Sequence, residues 1–181
     1  MAIRMPDTMK TEREEMDENE WKQIQIVIDE AIENMLSFRK SEGASLEKEF
    51  TLRIENIRSY MNQALVLDPE RVTNIKERLQ TAIDELKVNV DTNRFEQELI
   101  YYLEKLDITE EKVRLTNHLD YFLQTLNGSE ANGRKLGFIT QEMGREINTM
   151  GSKSNHAEMQ KLVVMMKDEL EKIKEQVLNV L

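Results

Sequence analysis

The residues whose types could do chemistry gather between positions 118 and 156. Glu142 and Glu146 lie four apart. On a helix that is one turn, so both carboxylates can reach a shared hard cation such as Mg²⁺ or Mn²⁺ through oxygen ligands. Lys135, Arg145 and Lys153 follow the same stretch and suit phosphate oxygens beside such an ion. His118, at the border of an apolar stripe, could serve as a ligand or general base. His156 could contact a phosphate or cap a helix, and capping is the commoner use. Blander readings stand beside each of these. Carboxylate pairs one turn apart are usually solvated, and a border histidine is usually packed with one nitrogen satisfied.

The element that must position most of these groups is a helix predicted over 133–154. Leu136, Ile139, Met143, Ile147 and Met150 gather on one side as a buried stripe. Lys135, Phe138, Glu142, Arg145, Thr149 and Ser152 step by three and four residues and form a seam on the other side, with Glu146 and Lys153 beside it. A face needed only for solubility would be mostly Glu and Lys. This one mixes acids, bases, a hydroxyl and an aromatic, a composition suited to a surface that meets something.

Composition sets the limits. The chain has 181 residues, a net charge of −10, 39% hydrophobic residues, six Gly, two Pro and no Cys. Low Gly and Pro with many charges predict a helix-rich protein, and the missing cysteines exclude disulfides and thiolate zinc sites. No apolar run of about 18 residues reads as a membrane span, and no secretory signal is legible, which together fit a cytoplasmic protein. The acidic balance opposes general nucleic-acid binding. Locally the balance differs: residues 130–161 hold five Lys or Arg against four Glu, a net of +1 that leaves −11 for the rest. Glycine-rich phosphate loops, GxSxG elbows and HExxH are absent.

Periodicity predicts an all-α fold of about seven helices, built as long antiparallel hairpins. Residues 1–15, with Pro6, read as a linker. A helix bearing Trp21, Ile24, Ile28, Ile32 and Met35 should end at Gly43. A second carries Phe50, Ile54, Ile57, Met61 and Leu65; Asp68-Pro69 should cap and open a third. A fourth holds Phe95, Leu99, Leu103 and Leu106. A fifth opens at Thr109, in a near capping box, and places Leu115, Leu119, Phe122 and Leu126 on one face. The seam helix is the sixth. In the seventh, Met159, Val163, Met166, Leu170, Ile173, Val177 and Val180 alternate steps of four and three, a heptad seam expected to pack within the chain or an oligomer.

These same residues carry a family resemblance. RLTNHLDYFLQTL (114–126), GRKLGFITQEMGREINTMGSKS (133–154) and LVVMMKDELEKIKEQVLNVL (162–181) closely resemble the carboxy-terminal region of the bacterial YicC/YloC family. The family pattern runs RL..H, then GRKLDF..QEMNRE.NT..SKS, then MK.ELEKI.EQ..N. Gly137 stands where Asp is common, and Gly144 where Asn is common. A mid-helix glycine costs about 1 kcal/mol relative to Ala, so close backbone approach is expected at Gly144. The lead-in resembles the junction with the family's amino-terminal domain, which implies a division into a linker at 1–15, a helical region at 16–108 and a YicC-type region at 109–181, with that domain missing. The resemblance implies a stress-linked cytoplasmic endoribonuclease that uses a divalent metal (Mn or Mg) and assembles as a homo-oligomer, a hexamer. Catalytic roles would fall to Glu142, Glu146 and His118, with the metal on Glu142 and Glu146. RNA contacts would fall to Arg134, Lys135, Arg145, Lys153 and Phe138. The competing expectation is a non-enzymatic RNA-binding or oligomerisation scaffold.

Overall fold

The computed structural model describes residues 17–86, 92–128 and 132–180. The expected linker at 1–15 lies outside them. The described residues form five helices: α1 (Glu18–Leu86), α2 (Thr92–Leu106), α3 (Thr109–Leu126), α4 (Gly133–Lys153) and α5 (Ala157–Val177). The all-α expectation holds; the count of seven does not. The first three expected helices are one, because neither punctuating residue stops the chain. Gly43 is flanked by helix formers and has no neighbour within 4 Å of an added Cβ, so nothing there demands a turn. Pro69 forfeits one backbone hydrogen bond, which costs on the order of 3 kcal/mol in a helix interior. Packing on both sides offsets it. Met61 and Ala64 before it, and Ile75 after it, are buried. Arg71 is also buried, donating from Nε to Asp68 Oδ1 (2.8 Å) and from its terminal nitrogen to the Lys153 carbonyl (3.0 Å).

The chain divides into two compact units, 1–43 and 44–181. In the first unit the apolar stripe of the first expected helix forms no core. Trp21, Ile24, Ile28, Ile32 and Met35 are all exposed.

The second unit is an antiparallel bundle, and its contacts fix the directions. Along α1 and α3, Phe50 meets Phe122 edge to face (centroids 5.7 Å apart), Arg58 pairs with Asp120, and Met61 lies beside Thr116. Along α1 and α5, Arg53 pairs with Glu169, and Arg71 reaches the carbonyl that precedes α5. Between α4 and α5, Gly137 faces Val177, Gly144 faces Leu170, and Gly151 faces Val163. The expected stripes fill the core: Phe50, Ile54, Ile57 and Met61; Leu115, Leu119 and Phe122; all five α4 positions; and six of the seven heptad positions, with Val180 packed at its edge. The α5 heptad is thus an intramolecular seam. The α2 stripe is only half-buried and lies outside the core.

The helix ends meet different outcomes. The Thr109 capping box does not form: Ile108 is the N-cap, and the Asp107 carboxylate accepts from the Thr109 hydroxyl (2.8 Å). Asn127 does close α3. His156 caps α5, with Nδ1 accepting from the Met159 N–H at 3.4 Å.

Candidate nucleic-acid interface

α4 is flanked by α3 on one side and α5 on the other, so its buried arc is wider than its apolar stripe. The α5 flank is lined by Gly133, Gly137, Gly144 and Gly151. Their missing side chains let the backbones approach, as expected at Gly144, where an added Cβ would lie 3.3 Å from Leu170 Cδ2. The α3 flank is polar. Asn132 donates to the Thr125 carbonyl (3.2 Å) at one end, and Lys153 Nζ donates to Glu111 Oε1 (2.7 Å) and the Asp107 carbonyl (2.9 Å) at the other. Between them Lys135 Nζ sits over the Tyr121 ring, 4.9 Å from its centroid.

Those contacts place each expected site residue. Glu111, Tyr121 and Thr125 mark the α4-facing stripe of α3, and half-buried His118 lies on that stripe. Along α3, His118 lies between Tyr121, beneath Lys135, and Glu111, which Lys153 holds. Glu146 sits on the α3-facing flank of α4, and only 8% of it is exposed. The sequence expectation that it faces outward beside the seam is corrected: α3 covers that side. Neither Glu146 nor His118 makes a hydrogen bond or ion pair among the described residues. Among the described residues the fully buried side-chain atoms without a partner are Glu111 Oε2, Thr125 Oγ1 and Ser154 Oγ. The Glu146 carboxylate is not one of them, so it keeps an edge on solvent beside α3, where a ligand can reach it.

Glu142 is different. It is half exposed and held by Arg145 at 2.7 Å, an i,i+3 pair of the kind that contributes little in water. Among the described residues no three Asp, Glu or His side chains gather as a metal cage. Two carboxylates, one already ion-paired and the other buried, do not by themselves fit a cation site, so no chemistry is assigned here through a metal.

The outward seam does form a rim. Phe138 is 56% exposed, and the Arg134 guanidinium lies 5.9 Å from its ring centroid. Tyr121 on α3 is also exposed, beneath Lys135. Arg145 is open to solvent, whereas Thr149 and Ser152 turn their hydroxyls onto the helix's own carbonyls. Lys153 leaves the seam: half-buried, it ties the start of α3 to the end of α4. The rim is therefore two aromatics interleaved with Arg134, Lys135 and Arg145, the pattern that binds single-stranded nucleic acid by stacking and phosphate contact. Tyr121 and Glu111 were missed from sequence. Their signal was their spacing from His118 along α3, which becomes meaningful only once α4 lies alongside.

Residues 65–181 match the family model described as endoribonuclease YicC-like, C-terminal, and residues 1–48 match that of the endoribonuclease YicC-like N-terminal region. The chain is 34% identical to a probable endoribonuclease YicC of Clostridioides difficile (strain 630), across 99% of this chain and 62% of that protein. It is 28% identical to a probable endoribonuclease YicC of Haemophilus influenzae, across 98% of this chain and again 62% of the relative. The chain thus spans under two thirds of the length of these relatives. Part of the amino-terminal region's sequence is present at 1–48, which replaces the expectation that this domain is missing.

Proposed function

The chain belongs to the YicC-like endoribonuclease family, and on that premise we propose that it takes part in cleaving RNA phosphodiester bonds at the α3–α4 edge. The observation that carries this reading is the partnerless Glu146 beside a rim of exposed aromatics and cations. Arg134, Lys135 and Arg145 hold phosphate oxygens, contacts that position a strand without reading its sequence. Phe138 and Tyr121 offer ring faces to unpaired bases. Glu146, as base, accepts the proton of the attacking oxygen as that oxygen bonds to phosphorus, and His118, as acid, gives a proton to the leaving oxygen as its P–O bond breaks. Glu142 orients Arg145. A divalent ion, Mn²⁺ or Mg²⁺, would need oxygen ligands beyond Glu142 and Glu146, such as phosphate oxygens of the bound strand. With that addition metal dependence belongs to the same reading, as do self-association and a cytoplasmic setting. Among the described residues no helix is long and apolar enough to cross a membrane.

A cleavage assay on single-stranded RNA, run with Mn²⁺ and with chelator, tests the proposal. Glu146→Gln should lower the rate by at least tenfold and Glu142→Gln by less, while chelator should suppress the wild type. Unchanged cleavage by Glu146→Gln would remove its role. The competing scaffold reading rests on the same rim of exposed aromatics and cations. It expects RNA retention with no metal-dependent product.

A further inference from the structure

The amino-terminal part of α1 presents a broad apolar face with no protein partner among the described residues. Trp21, Ile24, Ile28, Met35 and Phe38 are 41–66% exposed, Ala31 is exposed with them, and Val27 and Ile32 flank the stripe. Positions 21, 24, 28, 31, 35 and 38 step 3, 4, 3, 4, 3. That is a strict a/d heptad, the repeat that makes helices pair. We propose that residues 18–41 of α1 dock against the same segment of a second copy, antiparallel, about an axis between residues 29 and 30.

The sequence of the face is self-complementary in that direction. Running two copies in opposite senses sets Trp21 against Phe38, Ile24 against Met35 and Ile28 against Ala31, so every layer is apolar and the small alanine meets a large neighbour. A parallel pair would stack Trp21 on Trp21 and leave a gap at Ala31. Charge favours the same choice. One end of the segment carries Glu18 and Glu20, with Lys22 the next charge along, and the other carries Arg39 and Lys40. Antiparallel pairing brings the acidic end to the basic end, with Glu18 and Arg39 both at flanking e positions; a parallel pair would set like charges together. The next layers outward would oppose Asp17 and Glu42, two carboxylates, and so end the seam.

Area supports a stable contact. Taking roughly 200 Å² per large side chain, about half of it exposed, the seven large residues of the face offer on the order of 750 Å² per copy. Two copies then bring up to about 1,500 Å² together, within the range of specific interfaces. A symmetric two-fold contact of this kind places the same patch on both partners.

The inference goes beyond the nuclease reading and is tested by mass and cross-linking, not by cleavage. The whole 181-residue chain has no cysteine, so introduced ones report cleanly. Light scattering should give at least twice the 21.3 kDa chain mass, and Ile28→Asp with Met35→Asp should at least halve it while leaving the unfolding of the bundle unchanged. Mixing Ile24→Cys chains with Met35→Cys chains should give mixed disulfide dimers far faster than either alone. Arg39→Glu should weaken association at least tenfold, and adding Glu18→Arg should restore it. A single-chain mass for the wild type, an unchanged mass for the double aspartate variant, or Ile24→Cys chains linking to themselves as readily as to the partner would each overturn the proposal. The first outcome would give the face to a different partner.

Discussion

The contrast between Glu142 and Glu146 shows how little a one-turn spacing says about two carboxylates. Glu142 is held by an exposed Arg145, and Glu146 is buried without a partner. Residues 138 and 121 test the rim independently of any reaction. Stacking contributes about 1–3 kcal/mol per base, so Phe138→Ala and Tyr121→Ala should each weaken single-stranded RNA binding about tenfold or more, measured by fluorescence anisotropy. Equal affinity for both variants and wild type would move the RNA surface elsewhere. Lys153 offers the converse. Replacing it by Met leaves the Glu111 carboxylate buried and unpaired, at a cost of about 1–3 kcal/mol. Chemical denaturation should register that loss, and the folded variant should bind RNA as well as the wild type. A Lys153→Met protein with normal stability and impaired binding would return Lys153 to the phosphate contacts.

At the level of elements, the α4–α5 pairing is set by glycines that the sequence presents as unexplained. The four line the flank that α5 covers, yet they differ in the space they have. Gly137 would place a Cβ in ordinary contact with Val177, at 3.7 Å. Gly137→Ala should therefore stabilise the chain by up to about 1 kcal/mol through helix propensity. Gly151 meets Val163 Cγ1 at 3.0 Å, and a β-branched side chain has few rotamers in which to yield. Gly151→Ala should destabilise by about 1–3 kcal/mol. Opposite signs in a urea titration are the expected result; the same sign for both would mean the helices adjust freely. The apolar stripes of α3, α4 and α5 were legible before any coordinates, because a buried face must repeat with the helical period. The merger of three expected helices into α1 was not. Gly43 and Pro69 are weak local breakers, and buried neighbours on either side of Pro69 override it.

Across the whole molecule, one polar network joins distant parts of the chain. Glu169 on α5 accepts from Arg53 (3.1 Å) and Asn56 (3.0 Å) of α1 and from Lys172 (3.0 Å). Burial pushes its carboxyl up, but the hydrogen bonds from Asn56, Lys172 and Arg53 outweigh this and hold it below the ordinary glutamate value. Arg53 and Lys172 are shifted upward by the same contacts, Arg53 first by Glu49 and Lys172 first by Asp168. A carboxyl lowered by folding stabilises fully above its unfolded value of about 4.3, and that contribution is lost as pH falls through the lower folded value. Unfolding midpoints should therefore drop on acidification below about pH 4.3, and Glu169→Gln should flatten that dependence. A wild-type and variant pair with parallel pH profiles would show the network to be neutral.

The sequence alone determined the helical class, the buried stripes of the bundle and the family, since each follows from local period or motif, while the choice between cap and phosphate contact at His156 was left to the structure. It also set out the chemistry-bearing residues of α4. Only the tertiary structure decided which of them face a partner helix and which face solvent. A helix's own period marks one apolar stripe, but two neighbours at angles to each other bury a wider arc. That is why Glu146 went inward, Lys153 was taken up by Glu111, and Tyr121 joined the rim.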